Sequence, residues 1–333
     1  MGRHREADLS RLTRTSIRER ASKVDVAAQA RPPARPDSFA DLWDGLPDLL
    51  AGRDLRSVAV AIVRAQAAGR PVVWMFGAHV VKAGLAPLVV RLVREDLATL
   101  IAVNGAFAIH DAELALWGAT SEEVGSELPR GRFGMARETA RLLAQAAEEG
   151  VQRKEGLGEA LGRLLAARRP EWKSESILGV CHEAGLPVTV HVALGTDIVH
   201  QHPEFSGAAT GETSARDFRI LAGHLADLRE AVVVNVGSAV VLPEVFLKAC
   251  SVAINLGASP EGLITANFDF LMQYRPLQNV VRRPPGAGGA GYALVGHHEL
   301  LLPLLFQGLL LERGRLQAAA QGSQAGPASG VGH

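Results

Sequence analysis

Four long apolar runs, each ending abruptly in polar residues, constrain the fold of this chain more than any other feature. In chain order they are VVWMFGAHVVK (72–82), LIAVNGAFAIHDAE (100–113), VTVHVALGTDIVHQH (188–202) and VVVNVGSAVVLPE (232–244). Runs of this length with little alternation of apolar and polar residues are typical of strands buried on both faces, as in a parallel sheet covered by helices. We therefore expect an α/β chain whose ligand lies beyond the carboxyl ends of the strands.

Helical patterns alternate with these runs. Two helices precede the first strand, at 38–52 and 55–69, and another is expected at 85–96. A long helical region without strands then extends to about residue 170, and the sheet resumes at 188, 231, 252 and 264. Further helices are expected at 214–228, around 243–250 and at 298–311. This order predicts one doubly wound, mostly parallel sheet with helices on both faces and a helical insertion.

The two ends of the chain differ from its middle. Residues 1–37 are rich in Arg, Ala and Pro and predict a flexible basic arm, whereas 316–333 has the low complexity of a disordered tail. Residues 38–315 are expected to form a single domain. Lys plus Arg equal Asp plus Glu at 35 each, so the overall charge indicates neither a nucleic acid nor a membrane partner. The two cysteines lie in apolar context and no secretory segment is evident, so we expect a cytoplasmic protein.

Histidines and aspartates at two strand ends are the candidate catalytic residues. These are His110, Asp111, Asp197 and His200. A carboxylate beside imidazoles can orient a base or neutralise an amine substrate. Three alternatives remain open: Asp111 can serve as a helix cap, Asp197 can serve as a turn or helix cap, and Asp197, His200 and His202 resemble part of a metal site.

Glycines and arginines indicate where an anion could bind. Gly77 and Gly84 flank a turn that leads into a helix, where backbone N–H groups can meet a phosphate, although a tight turn needs such glycines too. The GAGGAG run at 286–291 matches a dinucleotide fingerprint literally, but it follows RRPP and not a strand, so we expect a flexible loop. Three arginines late in the chain could meet an anionic group of the ligand, with a solvated loop or a subunit contact as the alternative: Arg275, Arg282 and Arg283.

From about residue 70 to 312, the order of these segments resembles the deoxyhypusine synthase family, and specifically its bacterial deoxyhypusine synthase-like branch. FGAHVVKAGLAPLVVRLV resembles the family's first nucleotide-contacting loop, and VNGAFAIHDAE is similar to its Thr-Ala-Gly-Gly block. ALGTDIVHQH matches the block whose aspartate holds an amine of spermidine, which falls on Asp197. VVVNVGSAVVLPEVFLKA is similar to the Gly-Gly-Gly-Val-Val segment, and GHHELLLPLL to the Asp-Ala-Ser segment.

The resemblance implies a Rossmann-like doubly wound fold, bound NAD, and a homotetramer with sites shared between subunits. With the strand ends, it assigns the following cofactor contacts: Gly77, His79, Lys82, Gly84, Asn104, Gly105, Gly237, Ser238, Asn267, Asp269, His297 and His298. The chain also departs from the family. Pro284 stands where the family has the lysine that forms an imine, and Gln278, Arg282 and Pro243 replace its glutamate, tryptophan and histidine.

The leading hypothesis is therefore an NAD-binding transferase or oxidoreductase that acts on a small amine or polyamine but does not make deoxyhypusine. One alternative is a regulatory protein that binds a nucleotide or metabolite without catalysis. The other is a metal-dependent hydrolase that uses Asp197, His200 and His202.

Overall fold

The structure is a computed structural model that describes Ser10, Ser174 and residues 12–13, 26–35, 37–168, 171–172 and 176–324. The chain divides into two compact units, with the boundary between Arg53 and Asp54. Most of the basic arm predicted at 1–37, and the last nine residues of the predicted tail, lie outside the described residues.

A six-stranded parallel sheet forms the centre of the second unit. Its strands are β1 (Val72–Phe76), β2 (Leu100–Asn104), β3 (Val188–His191), β4 (Val232–Val236), β5 (Ile264–Asp269) and β6 (Ala290–Val295). Their spatial order is β3-β2-β1-β4-β5-β6, and every neighbouring pair is parallel. The order reverses between β1 and β4, which defines the switch point of a doubly wound sheet. The predicted α/β, Rossmann-like architecture is confirmed.

Thirteen helices, together with shorter turns, are assigned in the described part of the chain. They are α1 (Phe39–Gly45), α2 (Leu50–Ala67), α3 (His79–Lys82), α4 (Ala86–Arg94), α5 (Gly105–Trp117), α6 (Val124–Glu127), α7 (Arg137–Arg153), α8 (Leu157–Arg168), α9 (Ile177–Ala184), α10 (Gly207–His224), α11 (Val241–Asn255), α12 (Tyr274–Pro276) and α13 (His298–Gln324). A π-helical stretch, Leu277–Arg282, continues α12. None of the helices in the described ranges is long and apolar enough to cross a membrane.

Helices cover both faces of the sheet. On one face, Met75 and Val233 belong to a core cluster with Leu221 of α10 and Phe246 of α11. On the other face, Trp74 and Phe76 lie against residues of α4 and α13, among them Val89, Leu305 and Leu309. All five residues of β1 are buried. Burial on both faces explains why the strand sequences do not alternate between apolar and polar residues.

Helices α5 to α9 form the predicted insertion between β2 and β3. Two buried carboxylates secure it. Asp111 of α5 accepts hydrogen bonds from Ser176 Oγ (2.9 Å) and from the N–H groups of Ile177 (2.7 Å) and Leu178 (3.1 Å), and so caps α9. Asp217 of α10 accepts from Gly158 N (3.0 Å) at the start of α8 and from Val190 N (2.8 Å) in β3. Burial raises the pKa of Asp111 to about 6 and that of Asp217 to about 7.

Several predicted boundaries need correction. The strand expected at 252 is wrong, because Val241–Asn255 is a helix. The loop expected at 286–291 is wrong in its last residues, because β6 begins at Ala290. The helix expected from 214 begins at Gly207, and the last helix continues to Gln324, well into the segment expected to be disordered.

Candidate active site

The structure brings most of the predicted site residues together in two clusters along the carboxyl edge of the sheet. The first cluster lies at the ends of β2 and β3 and contains Lys82, His110, Asp197 and His200. The second lies at the ends of β1, β4, β5 and β6. It contains Gly77, His79, Gly237, Ser238, Asn267, Asp269 and His298.

Asp197 is the central acid of the first cluster. Its side chain is only 9% exposed, and burial raises its pKa to about 6. The carboxylate lies directly against Gly105, the first residue of α5, where a Cβ atom would overlap Oδ2. The glycine predicted to approach a cofactor therefore makes room for Asp197. Its neighbour Asn104, also predicted to contact the cofactor, caps α5 by accepting a hydrogen bond from Phe107 N at 2.9 Å.

His200 orients the turn that carries Asp197. The His200 Nδ1 atom accepts hydrogen bonds from the N–H groups of Gly195 (3.0 Å) and Asp197 (3.1 Å). Since Nδ1 is an acceptor, the ring proton of the neutral histidine lies on Nε2, which is 3.9 Å from Asp197 Oδ2. Burial lowers the pKa of His200, which favours the neutral ring.

Next to Asp197 lies a cavity of about 190 Å³ whose charged side chains are mostly acidic. Its charged side chains are Lys82, Glu113, Glu122 and Asp197. His110 also lines it, and its pKa is lowered to about 4 by burial and by the charge of Lys82. Because His110 is neutral, the charged groups of the lining are three carboxylates and the single ammonium group of Lys82. The cavity is therefore suited to a cationic ligand.

The cavity lies beside a wider acidic cleft of about 770 Å³, with which it shares Glu113, Ser121 and Glu122. The wider cleft adds Glu138 and Trp117, of which Trp117 is 43% exposed. On the other side of Asp197, a mostly apolar cavity of about 20 Å³ is large enough for a single water molecule only. A ligand would thus reach Asp197 through the acidic side.

The segment between α5 and α7 forms one wall of this site. Glu122 accepts a hydrogen bond from Gly134 N (3.0 Å), and His202 Nε2 lies 2.8 Å from the Gly134 carbonyl oxygen. Gln201 donates to the carbonyls of Phe133 and Gly134 at 3.3 Å. These contacts hold the wall against the turn that carries His200.

Not every predicted catalytic residue takes part. Asp111 points into the interior, where its three hydrogen bonds cap α9, and it lines neither acidic cavity. Conversely, sequence reasoning missed Glu113, Thr120 and Glu122. The available signal was the spacing of Glu113, which lies three residues after His110 and therefore on the same face of α5.

The second cluster surrounds the switch point of the sheet. Gly77 N donates to Val236 O (2.8 Å), and a Cβ at Gly77 would overlap the Gly237 carbonyl. Gly237 has a φ of +66° and lies against the His298 ring. The Gly237 carbonyl can therefore pack against Gly77, and the His298 ring against Gly237, at distances that a larger residue would prevent. In a G-x-G-x-x-G pattern that starts at Gly77, His79 and Lys82 occupy the second and third glycine positions.

Two buried polar atoms near the switch point lack hydrogen-bond partners among the described residues. They are Asn235 Oδ1 and His298 Nδ1. Asn235 Nδ2 donates to Ser238 O (3.0 Å) and Asn267 Oδ1 (2.7 Å), and His298 Nε2 lies 3.2 Å from Phe268 O. Buried polar groups normally have partners, so unsatisfied atoms at a strand edge are suited to a polar ligand.

The remaining predicted residues border this cluster or lie outside it. His79 and His298 form a ring cluster with Phe270, at centroid distances of 5.5–6.0 Å. Asp269 is buried, whereas the side chain of His297 is 72% exposed and lies 3.6 Å from a Glu299 oxygen. Gly84 has a φ of +75° and forms the turn between α3 and α4.

Two of the three arginines expected to meet an anionic group are linked through Glu244. Arg275 pairs with Glu244 at 3.3 Å. Asn279 Nδ2 donates to the same carboxylate at 2.9 Å, and Arg283 Nη1 donates to Asn279 Oδ1 at 2.7 Å. An anionic ligand at these arginines stays a prediction.

The metal-site alternative does not fit the observed geometry. Across the ranges that the structure describes, no three His, Cys, Asp or Glu side chains are placed to hold one metal ion. His202 Nε2 faces the Gly134 carbonyl, and His200 Nδ1 is occupied by two N–H groups. These contacts leave His200 Nε2 and His202 Nδ1 as the ring nitrogens that a metal could use.

Comparison with known proteins gives similarity in structure only, since neither protein-family models nor curated proteins match the chain. The ternary complex of AgrE with ornithine and NAD⁺ matches with a TM-score of 0.51 and 17% identity, covering 80% of this chain and 34% of AgrE. A conserved LOR/SDH-type protein from Methanococcus maripaludis S2 matches with a TM-score of 0.51 and 14% identity, covering 86% of this chain and 74% of that one.

A third match is a "putative deoxyhypusine synthase from Entamoeba histolytica", at 10% identity over 85% of this chain and 96% of that one. Its TM-score of 0.47 is too low to support the family resemblance. The chain spans about a third of the length of AgrE. At these identities the matches support the Rossmann-like fold and nothing more specific.

Proposed function

We propose that this chain is an NAD-binding enzyme that carries out transferase or oxidoreductase chemistry on a small amine or polyamine. The observation that carries the proposal is the acidic cavity beside Asp197. Within the described part of the chain, no Lys or Arg forms an ion pair with this buried carboxylate. A protonated amine would supply the missing counter-charge. Glu113 and Glu122 line the same cavity and add to its preference for cations.

Two unpaired polar atoms at the switch point support a dinucleotide, because Asn235 Oδ1 and His298 Nδ1 offer buried polar contacts. The glycines there serve internal packing, since the Gly237 carbonyl lies beside Gly77 and the His298 ring lies against Gly237. Lys82, which lines the cavity beside Asp197, carries a charge suited to a phosphate. The complex of AgrE with ornithine and NAD⁺ combines the same two classes of ligand on a similar fold.

Each of the chain's own groups then has a defined part in the chemistry. Asp197 would hold the substrate ammonium in a charge-assisted hydrogen bond. His200 fixes the turn that positions Asp197, and His110 is the neutral imidazole in the cavity that can accept a proton. NAD, when bound, would supply reversible hydride transfer at the carbon beside the amine: with the hydride removed, a second amine can add to the resulting imine and release the first nitrogen as a free amine, and return of the hydride would complete the transfer.

Deoxyhypusine formation is not part of this proposal. Pro284 stands where the resembling family has its imine-forming lysine, and proline has no side-chain amine to form an imine. Transfer would instead take place between small amines in one ternary complex.

Calorimetry on the wild type and on Asp197→Asn tests this function. We expect the wild type to bind both NAD and 1,4-diaminobutane. The substitution keeps the shape of the side chain but removes its charge, so it should weaken amine binding roughly ten- to hundredfold. NAD affinity and the melting temperature should stay nearly unchanged.

Asp227→Asn is the matched control, because that aspartate is 59% exposed and faces Arg70 outside the cavity. Its amine affinity should equal that of the wild type. Unchanged affinity in Asp197→Asn would remove the amine site, and a wild type that does not bind NAD would remove the cofactor. Binding of both ligands without turnover would favour the regulatory alternative.

A further inference from the structure

Four side chains link the acidic cavity to the wider cleft through hydrogen bonds that the function above does not use. The Thr120 hydroxyl donates to Glu113 Oε2 at 2.5 Å, and Thr120 Oγ1 lies 2.6 Å from His110 Nδ1. The second Glu113 oxygen accepts a hydrogen bond from the Thr139 hydroxyl at 2.8 Å. Two hydroxyl donors therefore fix the carboxylate in place.

The direction of these hydrogen bonds determines where His110 carries its proton. A hydroxyl has one hydrogen, and Thr120 gives it to Glu113, because a carboxylate can only accept. The Thr120 oxygen is left as the acceptor for His110, so His110 Nδ1 must be an N–H group. Burial and Lys82 lower the pKa of His110 to about 4, so near neutral pH the ring has a single proton. That proton lies on Nδ1, and Nε2 keeps its lone pair.

The second ring nitrogen is available to a ligand. His110 lines the cavity of about 190 Å³ together with Lys82, Glu122 and Asp197, and in the described part of the chain no group is hydrogen-bonded to its Nε2. We propose that Glu113 and Thr120 are positioning residues that fix His110 as the hydrogen-bond acceptor for an N–H group of the ligand. The identity of that ligand as an amine rests on the proposed function, whereas the tautomer does not.

The two imidazoles of the site are thereby distinguished. His200 has the opposite tautomer, since its Nδ1 accepts two backbone N–H groups and its Nε2–H faces Asp197. His200 therefore cannot accept a ligand's N–H group through either nitrogen while it is neutral. Of the two candidates, only His110 can receive a proton from the substrate directly.

Nitrogen NMR on the full, ligand-free chain labelled with ¹⁵N-histidine tests this assignment. His110 is identified by the signal that is lost in His110→Gln. We expect His110 to be protonated at Nδ1 and His200 at Nε2. Thr120→Val should abolish the Nδ1–H preference of His110, and Thr120→Ser should restore it, because serine keeps the hydroxyl.

Thr196→Val serves as the control, since Thr196 also lines the cavity but donates its hydroxyl to Ala193 O. It should leave the His110 tautomer unchanged. A wild-type His110 protonated at Nε2, or a Thr120→Val protein with the wild-type tautomer, would overturn the inference. Neither result requires a ligand, so this outcome is separate from the failure of the proposed function.

Calorimetry adds a second readout. Loss of one well-oriented hydrogen bond should weaken 1,4-diaminobutane binding to Thr120→Val by up to roughly tenfold, with recovery in Thr120→Ser. An equal loss of affinity in both variants would show that the hydroxyl does not act through His110.

Discussion

Replacing Gly105 with alanine should displace the Asp197 carboxylate and weaken amine binding without unfolding the chain. An added Cβ would overlap Oδ2 of Asp197 and lie 3.0 Å from its Cγ. Because Cβ atoms essentially never approach other atoms more closely than 3.0 Å, the carboxylate oxygen must move by roughly 1 Å or more. The carboxylate would then no longer face the cavity in its present position.

The expected loss follows from the contact that is removed. A charge-assisted hydrogen bond contributes about 1.5–3 kcal/mol, so its loss weakens binding roughly ten- to hundredfold. The helix itself should not suffer. Gly105 is the first residue of α5, and alanine is about 1 kcal/mol better than glycine within helices. Affinity should therefore fall while the melting temperature is kept or raised.

Calorimetry with 1,4-diaminobutane, together with thermal unfolding, provides the assay. The double variant Gly105→Ala/Asp197→Asn should bind no more weakly than Asp197→Asn alone, because both changes act through one carboxylate. Gly207→Ala is the matched control. Gly207 is also the first residue of a helix, after the Ser206 cap, but its Cβ would lie at an ordinary 3.7 Å from the Phe205 ring.

Two results would refute the reasoning. Wild-type amine affinity in Gly105→Ala would show that the contact between Gly105 and Asp197 does not position the ligand. Equal losses in Gly105→Ala and Gly207→Ala would show that the effect comes from helix N-termini in general.

Two further predictions concern pH and assembly. Burial raises the pKa of Asp217 from 3.8 to about 7, so between these pH values the native chain holds a proton that the unfolded chain has lost. The free energy of unfolding should therefore fall as pH rises through this window. Urea unfolding from pH 4 to 8 should show this decrease, Asp217→Asn should reduce its slope against pH, and an unchanged slope would contradict the assignment. We also expect light scattering at micromolar concentration to show a homotetramer. Exposed apolar side chains at the carboxyl edge support this expectation, namely Phe270, Leu271, Met272, Val295 and Leu300. A monomer would exclude sites shared between subunits.

The sequence predicted the central strands correctly because burial on both faces leaves a clear signal. Val72–Phe76 and Val232–Val236 are fully buried and contain mostly β-branched or large apolar residues. The edge strand β6 lacks this signal, since it is largely half-buried and follows a glycine-rich turn. The wrong strand at 252 is a short apolar run, which periodicity cannot distinguish from a buried helix.

The site was predictable only where it lies on strand ends. His110 and Asp197 each come six residues after the end of a buried strand, so parallel topology alone placed them at one edge. Glu122 and Thr120 come from the helical insertion, whose path back over the edge depends on tertiary contacts. Asp111 was named both as a catalytic candidate and as a helix cap, because a buried capping carboxylate and a catalytic one look the same in sequence; its hydrogen bonds to α9 match the capping alternative.

The long excursion between two neighbouring strands also affects how the protein must fold. β2 and β3 pair in parallel, yet residues 105–187 separate them, so a large loop must close before Asp197 can meet Gly105. The entropy of closure is lost before the contacts form, which makes such pairings slow. The capping of α9 by Asp111 ties the two ends of the helical insertion together and so shortens the loop that remains to be closed. The position of the Asp197 carboxylate therefore depends on contacts far apart in the sequence.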